Sequence, residues 1–472
     1  MLDIVLMLFS SLTFLFCFLP VVVGGYYISP RNLRNFFLLL VSIFFYAWGE
    51  PKFLLLMLIT ILVNYSGTLL LCCLPKYRKF FLTGTILLDV GFLCYFKYVD
   101  FLIASFNTIF KTHADILHIA LPLGISFYTF QAISYTVDVY RGEIKPQKNP
   151  YKLALYITLF PQLIAGPIVK YHDIVDQIEN RKETIDKFYY GFRRFIIGLS
   201  RKVLIANTLG QIVNKVYDLP IEDFGAAEAW MGAICFAFQI YNDFGGYADM
   251  AIGLCAMFGF TIKENFNFPF LSKSYTEFWH RWHISLGTWV KEYIYIPMGG
   301  NRCSPLRHYF NLFLAFFIIG LWHGADANMV MLGIVNGTLV LFEKFTGLYK
   351  EVKSFGAKVL KYIYMFPLLV VPYQFLRSPD FQYTKGYLSN LFGFNPKTGL
   401  QHDWGYYFSN VEIVVIVVAF LGSITLFKRW LIILEKYSLG NILIDVILFV
   451  LLILSISSIA ALTYNPFIYF RF

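Results

Sequence analysis

Residues 278–323 crowd histidine, arginine and tryptophan into apolar surroundings. The stretch opens Phe278-Trp279-His280-Arg281-Trp282-His283-Ile284-Ser285-Leu286 and continues Tyr293-Ile294-Tyr295-Ile296-Pro297-Met298-Gly299-Gly300-Asn301-Arg302. It closes on Leu321-Trp322-His323-Gly324, directly after an apolar helix candidate at 310–321. Ionisable side chains at membrane depth are costly and tend to serve function. An imidazole that titrates near neutrality can take a proton from a hydroxyl. Donors in a dry site can hold the oxyanion that forms on a carbonyl. These two devices are a general base and an oxyanion site, and His323 is the candidate base. Taken alone, a histidine at a helix end is more often a capping or packing residue. His283 is the second candidate, to orient an acyl donor or assist proton transfer; the alternative is an interfacial histidine on an amphipathic helix.

Other residues of the stretch have two readings each. Arg281, Arg302 and Lys291 could hold a phosphate-bearing donor arm or an acidic carrier-protein surface, or simply anchor the interface. Trp279, Trp282, Trp289 and Trp322 are expected to wall a funnel. Asn301 could donate to an oxyanion or cap a turn. His280 stands three residues before His283, one helical turn away. No third histidine or acid completes a ligand set, so no metal is expected. His113, His118, His172, His308 and His402 lack such context and read as surface or interfacial. Asp243 and Asp249 flank Gly245-Gly246 and are expected to pair with buried arginine. Neither a Gly-x-Ser-x-Gly motif nor a P-loop is present, so serine-hydrolase and NTPase readings lack support.

Composition says what must position these residues. The chain of 472 residues is 58% hydrophobic and 14% charged, with mean hydropathy +0.61. Soluble proteins are nearer half apolar and a quarter charged. With 51 Phe and 33 Tyr, it suits helix packing and the two membrane interfaces. The net charge of +10 reads as basic loops that orient helices. No long basic run points to nucleic acid. The seven cysteines have no metal-ligand spacing. Cys72-Cys73 could be acylated near a helix end, though small buried hydrophobes are the preferred reading. Asp3 and the lack of a basic leader argue for a retained first helix.

Residues 4–26 can span about 30 Å of hydrocarbon, and runs at 36–48 and 53–74 follow. Basic residues after the first and third runs, and at 141–148, put those loops in the cytoplasm and the N-terminus outside. A run at 80–96 holds Asp89, 101–116 reads as an external amphipathic stretch, and 120–139 crosses back. Residues 153–169 are interrupted by Pro161, Gly166 and Pro167. The polar 171–187 segment is expected on the surface. Residues 188–209, with Arg193, Arg194, Arg201 and Lys202, suit a tilted or interfacial helix. Apolar runs at 230–244 and 250–260 are expected to break at Gly245-Gly246. Residues 271–307 carry too many charges to face lipid and read as interfacial and re-entrant helices. Further spans are expected at 329–345, 362–375, 411–427 and 442–462, with a cytoplasmic C-terminus near Arg471. The fold class is an all-α polytopic membrane protein of about eleven transmembrane helices. It is expected to be one membrane domain over 1–472: N-terminal helices at 1–150, a catalytic core at 151–345 and C-terminal helices at 346–472.

The motifs resemble those of the membrane-bound O-acyltransferase family. They are most similar to its bacterial branch, which holds the alginate O-acetylase membrane subunit and the D-alanyl transfer protein of teichoic acid synthesis. That branch has Phe-Trp-x-Arg-Trp-His-Ile-Ser-Leu, then Tyr-Ile-Pro-x-Gly-Gly-Asn-Arg, then Leu-Trp-His-Gly, and all three stand here in order. Ser126-Phe127-Tyr128-Thr129-Phe130-Gln131, Phe160-Pro161-Gln162-Leu163-Ile164-Ala165-Gly166-Pro167 and Asp243-Phe244-Gly245-Gly246-Tyr247-Ala248-Asp249-Met250-Ala251 also match, as does Glu264-Asn265-Phe266. The closing run from Tyr464 to Phe472 looks like the alginate-acetylase subgroup. Gln374-Phe375-Leu376-Arg377-Ser378 departs from that subgroup's Phe-Phe-Arg-Ala element, and Asn207 stands where an Asp is frequent.

The resemblance implies a ring of helices around a thinned centre, with funnels from both faces meeting near the reactive histidine. It implies an acetyl group taken from a cytoplasmic thioester, acetyl-CoA or an acyl-carrier-protein thioester, with no bound cofactor. That group would cross the membrane to O-acetylate a cell-surface polysaccharide, often with a separate extracytoplasmic acetyltransferase as partner. The setting would be the lipid of a bacterial cytoplasmic membrane. D-alanyl transfer to teichoic acid is the alternative within the family. A non-enzymatic transporter or flippase is the alternative outside it, since broken helices and intramembrane polar residues also suit transporters. No inverted repeat supports that alternative.

Overall fold

The computed structural model describes residues 7–394 and 402–461, and all regular structure among them is helical. The start of the first expected span at residue 4, the closing run at 464–472 and Arg471 lie outside the described residues.

Six described helices are long and apolar enough to cross a membrane: Pro51–Cys73, Ile185–Tyr217, Pro305–His323, Ala327–Thr346, Phe355–Arg377 and Ser438–Ala461. Asn410–Gly422 and Leu426–Leu434, bent by 74°, make a seventh if they count as one span. About eleven were expected from apolar runs. The difference has physical causes. Phe14–Ile28 and Arg34–Gly49 are apolar but shorter. The expected crossing at 80–96 and the amphipathic stretch as far as residue 110 form one 33-residue helix, Arg78–Phe110, which carries Asp89, Lys97 and Asp100. The four exposed cysteines, Cys17, Cys72, Cys73 and Cys94, lie on outer helix faces rather than in a core.

Of the described residues, those within Met1–Phe195 and Ala248–Lys263 form one compact unit, and those within Ile196–Tyr247 and Glu264–Phe472 form a second. In the first unit, Phe18, Phe45 and Phe160 pack with ring centroids 5.4–5.5 Å apart. Asp89 is fully buried there and accepts from Asn64 Nδ2 at 3.0 Å, while Thr136 Oγ1 donates to Asn64 Oδ1 at 2.6 Å. A carboxyl at such depth is tolerable only with partners. The 171–187 segment holds the helix Tyr171–Asn180, which buries Tyr171, Ile174 and Ile178. His172 is not a free surface residue. Its Nδ1 lies 2.8 Å from Asp138 Oδ2, and that hydrogen bond raises the imidazole pKa. Together with Glu143 these residues bring three potential ligand atoms within 4.8 Å of one another.

The second unit corrects the expected break at the glycine pair. Ala226–Met257 is one 32-residue helix. A Cβ on Gly246 would stand 2.7 Å from the Gly198 carbonyl oxygen. Glycine therefore serves close helix approach here and not chain reversal. The same device joins Pro305–His323 to Ala327–Thr346, where a Cβ on Gly320 would meet Gly333 Cα at 2.5 Å. Between them, the Asp326 side chain caps the second helix by accepting from Met329 N at 3.1 Å.

Candidate active site

Within 271–307, short helical pieces stand at Tyr275–Arg281, Ile284–Val290 and Lys291–Tyr295. Tyr275–Arg281 starts on Ser274, whose hydroxyl accepts from Glu277 N at 3.0 Å. Glu343, fully buried in the Ala327–Thr346 helix, accepts from Tyr275 N at 2.6 Å and Thr276 N at 2.8 Å. A carboxylate at a helix N-terminus satisfies orphan N–H groups and meets the favourable end of the helix dipole. The sequence reading missed Glu343. Its signal was the single acid of a largely apolar helix.

The helix stops at Arg281, and a second one, Ile284–Val290, begins after His283. The alternative of His283 on an amphipathic helix is therefore not met, since His283 lies at the break between two helices. His280 is exposed and His283 is 2% exposed. His283 adopts φ 47° and ψ 52°, the left-handed region, which a non-glycine residue occupies only when its surroundings impose it. Asn265 imposes it. Its carbonyl oxygen Oδ1 accepts from Ser285 N at 3.1 Å and Ser285 Oγ at 2.9 Å, and His283 Nδ1 lies 3.2 Å away. Ile284 N also donates to the Asn265 backbone oxygen at 2.9 Å. An atom that accepts from a backbone N–H is an oxygen, so His283 Nδ1 carries the proton and Nε2 keeps its lone pair. Burial first, then the nearby His323, hold the His283 pKa well below the ordinary imidazole value. The imidazole is thus neutral at physiological pH.

His323 is the last residue of Pro305–His323 and is 8% exposed. The Trp322 ring packs against both histidines, 5.7 Å from His283 and 5.1 Å from His323 by centroids. His323 lines a narrow cleft with a cavity volume of about 30 Å³. Trp279, Trp282, Phe278, Tyr275 and Tyr373 line the same cleft with Asn336 and leucines 332, 368, 369 and 376.

The remaining candidates are placed as follows. Arg281 is held by Glu277, Nη2 to Oε1 at 2.8 Å, and donates to the Asn267 backbone oxygen; it is not among the cleft-lining residues. Asn301, Arg302 and Lys291 are exposed. The first two follow Gly299 and Gly300, both at positive φ, in a turn fixed by Asn311 Nδ2 donating to the Met298 and Gly300 oxygens. Trp289 is buried beside Tyr293. Asp249 pairs with Arg194 at 2.6 Å within the first unit, as expected. Asp243 meets Lys202 at 2.8 Å within the second unit. Arg201 stacks its guanidinium on Tyr241 at 4.7 Å.

The family model of the membrane-bound O-acyltransferases matches residues 146–350. A "probable alginate O-acetylase" of Pseudomonas putida is 36% identical over 99% of this chain and 100% of its own length. The peptidoglycan O-acetyltransferase of Helicobacter pylori is 33% identical over 84% of this chain and 81% of its own. The teichoic acid D-alanyltransferase of Bacillus subtilis is more distant, 28% identical over 49% of this chain and 62% of its own.

Proposed function

The chain belongs to the membrane-bound O-acyltransferase family, and from that premise we propose that it carries an acetyl group from a cytoplasmic thioester across the membrane for O-acetylation of a surface polysaccharide. It is an integral membrane acyltransferase, which removes the non-enzymatic transporter from consideration. The observation that carries the finer reading is a buried His323 on the wall of a cleft, with His283 beside it held neutral in one tautomer.

In this reading His323 removes the proton from an acceptor hydroxyl as its oxygen attacks the thioester carbonyl. The C–S bond of the tetrahedral intermediate then breaks, and the proton leaves with the thiolate. His283 orients the donor, or hands on the proton through Nε2. The donor is acetyl-CoA or an acyl-carrier-protein thioester, and the final acceptor is reached with an extracytoplasmic acetyltransferase. The location is a bacterial cytoplasmic membrane, with the N-terminus outside and the C-terminus cytoplasmic. Relatives that O-acetylate polysaccharide share far more of this chain than those named for D-alanyl transfer, which favours acetyl.

The test is surface O-acetyl content in cells with wild type or His323→Ala at matched membrane protein level, alongside turnover of both thioesters by purified protein. The expected result is loss of acetylation by about two to four orders of magnitude, as for removal of a general base. Unchanged acetylation would remove His323 from the chemistry. Unchanged acetylation with altered D-alanine ester would transfer the assignment to teichoic acid.

A further inference from the structure

The cleft beside His323 contains two hydrogen-bond donors that nothing yet uses. Tyr373 is 7% exposed, and its hydroxyl is buried without a partner. The Trp279 indole Nε1 is also buried without a partner in hydrogen-bond geometry, although the Tyr275 hydroxyl is close by. That hydroxyl donates to Asn336 Oδ1 at 2.5 Å and keeps lone pairs, but the indole N–H does not reach them in hydrogen-bond geometry. Both Tyr373 and Trp279 line the cleft with His323.

The backbone around Tyr373 is built to hold it. Pro367 lies inside the Phe355–Val370 helix, and Pro372 opens a tight 3-10 turn at Val371–Tyr373. Each proline removes an N–H and forces a local change of path. Gln374 repairs the break, its Nε2 donating to the Val370 oxygen at 2.9 Å, while the Tyr217 hydroxyl donates to its Oε1. The Tyr373 ring rests against Trp282, centroids 5.4 Å apart. Such a fixed ring with an unsatisfied hydroxyl costs stability unless a ligand completes it.

We propose that the Tyr373 hydroxyl and Trp279 Nε1 donate to the carbonyl oxygen of a short-chain acyl thioester and to the oxyanion formed from it. Indole N–H can only donate, so the ligand atom must be an acceptor. An acceptor alcohol needs a base, which His323 supplies; a carbonyl needs donors, which these residues supply. The rest of the wall, Phe278, Trp282 and leucines, is apolar and suits the methyl end of an acetyl group. This rests on the acyltransferase reading and adds the pair that stabilises its charged intermediate.

Tyr373→Phe removes one oxygen from a hydroxyl that has no protein partner. Kinetics with acetyl-CoA and with an acetylated carrier protein are measured on purified protein, together with its melting temperature. The expected result is a fall of about 100-fold in kcat, little change in KM and an unchanged or higher melting temperature. Trp279→Phe should lower kcat in the same sense, and the double variant should lose less than the product of the two. Unchanged kcat in Tyr373→Phe, or a loss matched by a lower melting temperature and restored at low temperature, would overturn the proposal. His323→Ala run in parallel separates the two failures. If it is inactive while Tyr373→Phe is fully active, only the donor pair is wrong. If wild type turns over neither thioester, both readings fall.

Discussion

His283 shows how a single residue is made chemical by its surroundings. Its left-handed backbone and its Nδ1 proton both answer to Asn265, which lies in a different segment. Asn265→Ala would strand three donors around one vanished acceptor. At about 1 kcal/mol net for each, we expect a loss of roughly 3 kcal/mol in unfolding experiments, and reduced turnover at temperatures where the variant is still folded. The depressed pKa gives a second expectation. The folded state resists a proton that the unfolded state accepts below about 6.5. Stability from this group is therefore complete above that pH and falls as pH drops through the window beneath it. Thermal unfolding across pH should show an acid-side loss that is shallower in His283→Gln; an equal slope would remove His283 as its source. The histidines were legible in the sequence because imidazole beside apolar runs is rare and the motifs are local. Asn265, Glu343 and Tyr373 were not. Their roles depend on partners 18 to 68 positions away, or on a cleft formed by several helices.

At the scale of elements, glycine misled the sequence reading in an instructive way. Gly245-Gly246 looked like a break, yet it lies in the middle of a continuous helix, because absence of a side chain also permits contact. Spacing alone does not separate these uses; only the neighbour does. The Gly320–Gly333 contact sets the position of His323 three residues further along. Gly333→Val should push the helices apart and cost about 1–3 kcal/mol, in the range of core overpacking. Its activity loss should exceed that of Gly356→Val, where an added Cβ meets nothing within 4 Å. Comparable losses in both would deny the contact its role. The stretch at 271–307 was expected as interfacial and re-entrant helices, and between 275 and 295 it does fold into short helical pieces, in keeping with charge and breakers every few residues. Its internal division at Trp282–His283 was not, since no proline or glycine marks it.

Over the whole molecule, apolar runs identified a helical membrane protein but overstated its regularity. Long helices absorbed expected loops, as in Arg78–Phe110, and some expected spans are short. Hydropathy reports where apolar residues are abundant; it does not report which charges are neutralised at depth. Lys202 and Asp243 make the point, since both are nearly inaccessible and lie on separate long helices. Their pairing also bears on synthesis. The lysine helix emerges from the ribosome first, and each charge alone would cost about 2.5–3.5 kcal/mol at the centre of a bilayer. The lysine helix is therefore expected to wait at the insertion machinery until the aspartate helix arrives to neutralise it. Nascent chains truncated between the two helices should remain extractable or translocon-bound, and Lys202→Met should release them early.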